Sequence, residues 1–326
     1  MEYGLLLPAG QAQLEAGGSA QALVEIAVEA ERLGFDSVWA GDSLVRARIE
    51  PLTLLTAVAQ ATERVTLGTA VLMPAYRHPV HAAVTLGSLD LLSKGRLVVG
   101  VGAGFPGFSE KELELVGVNF RTRFSRLDDT VALWRELWTG NPQSFHGKVL
   151  HYDWLPQVPE PARPGGPPIW LGGITPAALG RTARLYDGWL PYPPDPGDYA
   201  TALSAIRDTA TRPVTPALFA TVFVDDDAQR GAKALDDYCQ ATYRMPLESV
   251  AQIQTMMTGP DIAGRLARFV EAGARHILLR IAAVDSATFT EQLARTAEAL
   301  SALPQRPVLE AAGVELQRGS NLRHLQ

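Results

Sequence analysis

Asp42 and Ser43 follow the apolar run Val38-Trp39-Ala40 with only Gly41 between them. A carboxylate and a hydroxyl delivered at the end of a segment that reads as buried can accept, hold or donate a proton beside a ligand. Three other stretches pair ligand-binding residue types with a special backbone. "GVGAGF" (100–105) is a glycine-rich strand end, "WLGGITPAAL" (170–179) runs from strand through two glycines into a helix, and "HILLRI" (276–281) carries Arg280 near its end.

The glycine-rich stretch is not a dinucleotide fingerprint. G-x-G-x-x-G would need glycine at position 105, where Phe105 stands, and Pro106 and Gly107 delay any helix. Its glycines let backbone approach a flat ligand or pack closely at the strand end. In "WLGGITPAAL", Thr175 sits at an N-cap position and Pro176 at the first helical position. Free N–H groups and the positive dipole end would face an anion there, so a phosphate fits; a capped helix after a tight turn uses the same residues. His78 and His81 lie three apart in "RHPVH" without a third ligand at a useful spacing, so no metal site is expected, and His78 lines the pocket mouth or packs. No nucleophile elbow, P-loop or H-E-x-x-H motif appears, which directs the search for chemistry to a bound cofactor.

These residues need elements to position them. Short apolar runs at 3–8, 37–41, 65–72, 97–102, 168–173, 187–191, 217–224 and 276–281 are mostly apolar on successive residues, as in strands covered on both faces of a parallel sheet. Parallel strands need crossovers, and the intervening segments have helical periodicity at 19–34, 51–62, 79–93, 124–139, 176–185, 198–210, 261–273 and 286–302. Eight strands alternating with eight helices predict an α/β fold, a (β/α)8 TIM barrel, with a doubly wound open sheet as the alternative. Residues 1–303 then form a single barrel domain. Residues 141–167 are an inserted loop or hairpin after strand four, 225–259 a helical insertion with a helix at 226–244 and a linker, and 304–326 a C-terminal tail.

Composition narrows the functional classes. Apolar residues make up 47% and charged residues 20%, enough apolar material for a large core and unlike a disordered chain. A net charge of −6 and no long basic run argue against nucleic acid as a partner. Cys239 is the single cysteine, which removes an intrachain disulfide and any Cys-type zinc site. The segment "MEYGLLLPAG" has no basic n-region and too short an apolar run for a signal peptide or a membrane span. A cytoplasmic protein that is not a membrane partner is expected.

Barrel chemistry sits where strands end and βα loops begin. That rule selects Asp42 and Ser43, Thr69 to Pro74, Gly102 to Phe105, Gly172 to Thr175, Leu190 to Tyr192, and Arg280.

The run from Gly34 to Gly140, with "GFDSVWAGDSL", "TERVTLGTAVLMPAYRHPV", "LDLLSKGRLVVGVGAGF" and "VGVNFRTRFSRLDDTVALWRELWTG", followed by "PPIWLGGITPAALGRTARLYDGWLP", resembles the bacterial luciferase-like superfamily. Its members are flavin monooxygenases and reductases using FMN or the deazaflavin F420. The resemblance implies a (β/α)8 barrel binding reduced flavin at its C-terminal mouth. It also implies a non-proline cis peptide at the end of strand three, here Ala70–Val71 next to Thr69, under the tricyclic ring. The cofactor phosphate would lie near Gly172, Gly173, Ile174 and Thr175, with Gly102, Ala103 and Gly104 beside the ring or ribityl chain. Tyr76, His78, Phe105 and Tyr192 would line the substrate pocket.

Departures from the family pattern matter as much. Luciferase-type members carry histidine after strand two and F420 reductases commonly an Asp-His pair, whereas this chain has Asp42-Ser43. Bacterial luciferases have an arginine for the flavin phosphate at the position of Ala103; Arg280 is the substitute candidate, unless it is an ion-pair partner. F420-dependent sugar-phosphate dehydrogenases have a glutamate near the position of Phe105, so their substrate class is disfavoured.

Three readings follow. In the leading one, reduced FMN supplied by a separate flavin reductase reacts with oxygen, and the protein is a monooxygenase of a small apolar organic substrate, with water excluded beneath the 103–108 loop. In the alternative, coenzyme F420 exchanges a hydride with an alcohol or unsaturated substrate, Asp42 accepting a proton, or donating one if burial raises its pKa. In the third, the chain binds flavin without catalysis and Asp42 only caps a turn. The helix at 79–93, apolar around much of its circumference with small Ala82, Ala83 and Gly87, suits a homodimer interface or burial within the chain.

Overall fold

The computed structural model describes residues 1–303 apart from residue 108. The predicted tail, 304–326, lies outside the described residues. Eleven strands are present among those described: β1 (Glu2–Leu6), β2 (Ser37–Ala40), β3 (Thr66–Leu72), β4 (Leu97–Val101), β5 (Phe145–His146), β6 (His151–Tyr152), β7 (Ile169–Leu171), β8 (Gly188–Trp189), β9 (Thr215–Val224), β10 (Thr255–Gly259) and β11 (His276–Ile281). Eight of them close a parallel ring in the order β1-β2-β3-β4-β7-β8-β9-β11, with β11 paired back onto β1. This is the (β/α)8 barrel the alternation of apolar runs predicts.

Successive apolar residues in the strands serve two cores. Val38 and Ala40 of β2 face outward into the layer shared with the helices, while Trp39 points into the barrel with Leu6, Val98, Trp170, Leu190, Ala217 and Leu278. Trp39 is fully buried, 5.3 Å from Trp170 between ring centroids. Its indole fits because the neighbouring strands carry Gly4 and Gly68 beside it, and a Cβ on Gly68 would come 2.1 Å from the ring. The indole Nε1 of Trp39 donates to Ser37 Oγ at 2.7 Å, and Ser37 meets His276 Nε2 at 2.9 Å, so these three side chains are paired, whereas the buried Trp170 Nε1 has no partner among the described residues.

Most of the crossover helices start on side-chain caps, the helices Pro79–Leu92 and Arg123–Leu137 being exceptions. Ser19, Glu50, Thr175, Asp195, Asp227, Asp261 and Asp285 each accept a first-turn N–H. Each such cap contributes about 1 kcal/mol.

The inserted segment, expected as a loop or hairpin, contains the antiparallel hairpin β5–β6. Other elements differ from expectation. The expected linker at the end of 225–259 is strand β10, which pairs with Ala220–Val224 of β9. Because β8 is only two residues long and pairs with Thr215 and Pro216, the upper half of that edge of β9 is left for β10. Short helices at Gln11–Glu15 and Glu110–Leu115 have too few residues for a periodic signal. In the helix Pro79–Leu92, Ala82, Ala83 and Gly87 are buried within the chain, Gly87 beneath Pro159 and Trp138. Those small residues therefore face an intrachain neighbour and supply no surface for a second copy. Among the described residues, no helix is long and apolar enough to cross a membrane.

Candidate active site

The end of β2 turns its carboxylate toward the segment after β3. Asp42 Oδ2 accepts from the Met73 N–H at 3.0 Å and from Arg77 Nη1 at 2.6 Å, and Oδ1 receives Arg77 Nη2 at 3.3 Å. The Asp42 side chain is 4% exposed, so the pair is shielded from water. Arg77 also reaches Glu50 at 2.5 Å, and Glu50 caps the helix Pro51–Ala61 through the Thr53 N–H. Asp42 is thus tied to two neighbouring βα units.

Ser43 turns away from Asp42 toward Glu112, a residue with no signal in the sequence reading. Ser43 Oγ donates to Glu112 Oε1 at 2.7 Å, the N–H groups of Leu44 and Val45 donate to the same oxygen at 2.9 and 3.2 Å, and the Tyr76 hydroxyl donates to Oε2 at 2.6 Å. Burial pushes the Glu112 carboxyl upward, but Tyr76, Ser43 and the two N–H groups outweigh it and hold the carboxyl below its ordinary range. Tyr76 is shifted the other way: burial and the hydrogen bond to Glu112 raise its phenol well above normal. Glu112 is therefore a fastener for the 43–45 loop, not a replacement for the glutamate absent at Phe105.

A cavity of about 440 Å³ opens at this mouth. Its walls bring together Asp42, Ala70 and Arg280 from the sequence list, with Gly41, Arg48 and Tyr238. The Ala70–Val71 peptide bond is cis. Ala70 and Val71 are half-exposed at the mouth, whereas Thr69 is buried and its hydroxyl donates to the Gly100 carbonyl at 2.8 Å. Arg280 donates to Thr221 Oγ1 and Gln254 Oε1 and lies among the rings of Phe219, Tyr238 and Tyr243. None of these partners belongs to the Gly172–Thr175 turn, three strands round the ring. The guanidinium expected to serve a phosphate at that turn is committed elsewhere.

The remaining sequence candidates lie outside this cavity. Gly172, Gly173, Ile174 and Thr175 form an accessible turn with Gly173 at φ +107°, and Thr175 caps the helix Pro176–Leu185 through the Ala178 N–H. Gly102 and Ala103 adjoin Arg123 and Arg126 across a small cleft, and these cations were missed because they lie about twenty residues downstream on the helix Arg123–Leu137. Gly104 has φ +84°, and a Cβ there would meet the Ser109 side chain. Phe105 is exposed and lies 6.2 Å from the Tyr192 ring, and burial raises the Tyr192 phenol. His78 is exposed, its ring 6.2 Å from that of Tyr152 in the inserted hairpin.

Comparison with known proteins refines this geometry. The chain is 32% identical over 279 residues, 77% of each chain, to the F420-dependent hydroxymycolic acid dehydrogenase of Mycobacterium tuberculosis. It is 28% identical over 307 residues to the F420-dependent glucose-6-phosphate dehydrogenase of Amycolatopsis mediterranei, covering 83% of this chain and 91% of the relative. Among solved structures it superposes on an F420-dependent secondary alcohol dehydrogenase with a TM-score of 0.76 at 20% identity, covering 93% of this chain and 99% of the other, a likeness of fold.

Both sequence relatives are named for F420 and for dehydrogenation, which overturns the expectation of reduced FMN, a monooxygenase reaction and a partner flavin reductase. The sequence motifs could not separate the two cofactors, because a flavin and a deazaflavin present the same flat ring and ribityl phosphate to glycine-rich backbone. Residues 1–267 match the model of the family described as luciferase-like monooxygenase, and the chain belongs to that family.

Proposed function

We propose that this chain is an F420-dependent oxidoreductase that exchanges a hydride between the deazaflavin and an alcohol or carbonyl substrate. The observation that carries the reading is the match to a named F420-dependent dehydrogenase over 77% of both chains at 32% identity. The residues present suit the group. Ala70 and Val71 are half-exposed at the mouth where a flat ring would lie, and a Cβ on Gly102 would come 2.8 Å from Val71 Cγ2, so glycine there lets the Val71 side chain pack close against that strand end. In the Gly172–Thr175 turn the Gly172 N–H donates to the Val101 carbonyl, which leaves the N–H groups of Gly173, Ile174 and Thr175 for a phosphate, and Arg123 and Arg126 lie beside Gly102 and Ala103 as cations.

When bound, F420 supplies a carbon centre that takes up or releases hydride. The chain supplies the rest. Asp42 lines the same cavity as Ala70 and accepts the hydroxyl proton of an alcohol as the substrate is oxidised, returning it in the reverse direction. Arg77 and the Met73 N–H hold that carboxylate in place, and Glu112 fastens the loop that follows it.

Titration of the protein with F420 and, separately, with FMN, followed by absorbance, tests the reading. Saturation by F420 at low micromolar concentration and turnover under strict anaerobiosis are expected. Saturation by FMN alone, or turnover that requires oxygen, rejects it.

A further inference from the structure

Arg48 makes no hydrogen bond and no ion pair among the described residues, although its guanidinium lines the cavity that holds Asp42 and Ala70. Its Nε is shielded from solvent and without a partner, and so is Thr242 Oγ1 on the same wall. A buried guanidinium donor left unpaired is costly, and native structures retain one where a ligand completes it. The chain makes room for this one: a Cβ on Gly41 would come 2.5 Å from Arg48 Nη1.

Counter-charge within the chain does not answer Arg48. The cavity is lined by Arg46, Arg48, Arg244 and Arg280 against only Asp42 and Glu15 as acids, and Asp42 is already taken by Arg77. Burial disfavours the charge on Arg48, Tyr238 and Asp42 offset part of that, and Arg280 adds like charge. An apolar wall of Leu6, Leu7 and Phe289 faces the same space.

We propose that Arg48 is the anchor of an oxyanion-binding site, and that the substrate is an alcohol or carbonyl compound bearing a carboxylate or phosphate group. The guanidinium donates to two oxygens of that group, with Arg46 and Arg244 supplying field at the rim. The site lies three strands round the barrel from the Gly172–Thr175 turn, so one anion does not serve both. Only the assignment of the anion to the substrate rests on the oxidoreductase reading; the anion site itself does not.

The test is binding of inorganic phosphate and of acetate to the full chain without cofactor, by calorimetry at low ionic strength, for the wild type, Arg48→Met and Arg48→Lys. F420 affinity is measured on the same three proteins, and thermal melts establish that each is folded. The expected result is saturable binding of at least one anion, weakened about tenfold or more in Arg48→Met and partly restored in Arg48→Lys, with F420 affinity unchanged. Whichever anion binds more tightly distinguishes phosphate from carboxylate. Gly41→Ala, which crowds Nη1, is expected to weaken the same anion while the protein stays folded. Equal anion binding by the wild type and Arg48→Met overturns the proposal, as does a parallel loss of F420 affinity, which would give Arg48 to the cofactor. If F420 fails to bind while Arg48-dependent anion binding persists, the F420 reading fails and the anion site stands.

Discussion

Arg77 Nη1 stands 2.6 Å from Asp42 Oδ2 behind a surface that leaves the carboxylate 4% exposed. The pair joins the end of β2 to the segment after β3, and Arg77 carries the connection on to Glu50. Removing one partner of such a pair leaves an uncompensated buried charge. Arg77→Met is expected to lower stability by about 3 kcal/mol, while the double variant with Asp42→Asn loses less than the sum of the two single changes. Chemical denaturation of the four proteins measures the coupling; strict additivity would show that the pair contributes nothing.

Asp42 has a second expected role. If it accepts the substrate proton, Asp42→Asn lowers kcat by about 10² to 10⁴, with the F420 dissociation constant nearly unchanged. Turnover equal to wild type would leave Asp42 only as the clamp on Arg77 and the Met73 N–H.

Glu112 predicts a pH dependence. Its carboxyl is held below its ordinary value of 4.5 in the folded protein, despite burial, by Tyr76, Ser43 and two backbone N–H groups. A depressed folded pKa means that the stabilisation is fully present above the unfolded value and is lost as pH falls through the folded one. Glu112→Gln should therefore cost about 2 kcal/mol at neutral pH, and its deficit against wild type should shrink as the medium is taken below the ordinary glutamate value. Urea midpoints of both proteins across that range give the answer, and a constant gap would rule out the charged form as the source.

The barrel was legible because strands covered on both faces are apolar on successive residues, as Val38-Trp39-Ala40 shows by feeding two cores at once. Asp42 was legible for the opposite reason, a charge where an apolar run stops. Glu112 and Arg77 were not, because their roles come from side chains meeting across 69 and 35 residues of sequence with no periodic or spacing signal. Arg48 was invisible for a related reason: what marks it is the lack of a partner, which only three-dimensional surroundings reveal. Strand β10 was hidden because its existence depends on how short β8 is. The cofactor was misread because the motifs that carry the resemblance meet atoms common to both candidates.

Gly68 makes a packing prediction. A Cβ there would come 2.1 Å from the Trp39 ring, which is fully buried and tilted at 39° against the Trp170 ring. Trp39 is packed among Leu6, Val98, Trp170, Leu190, Ala217 and Leu278, so Gly68→Ala is expected to destabilise the barrel by about 1 to 3 kcal/mol. Trp39→Phe combined with Gly68→Ala should recover part of the loss, and thermal melts of the three proteins measure it.

Gly173 separates backbone from side chain at the phosphate turn. Its φ of +107° is a conformation that L residues rarely adopt, and a Cβ would lie 3.2 Å from the Ala178 Cβ. Gly173→Ala should cost about 1 to 3 kcal/mol in strain or relax the turn and redirect its N–H groups. If that turn holds the cofactor phosphate, F420 affinity falls in Gly173→Ala, whereas Gly165→Ala, another positive-φ site with open space around it, pays a similar backbone cost without changing affinity. Equal F420 affinity in both variants, each shown to be folded, would move the phosphate away from the Gly172–Thr175 turn.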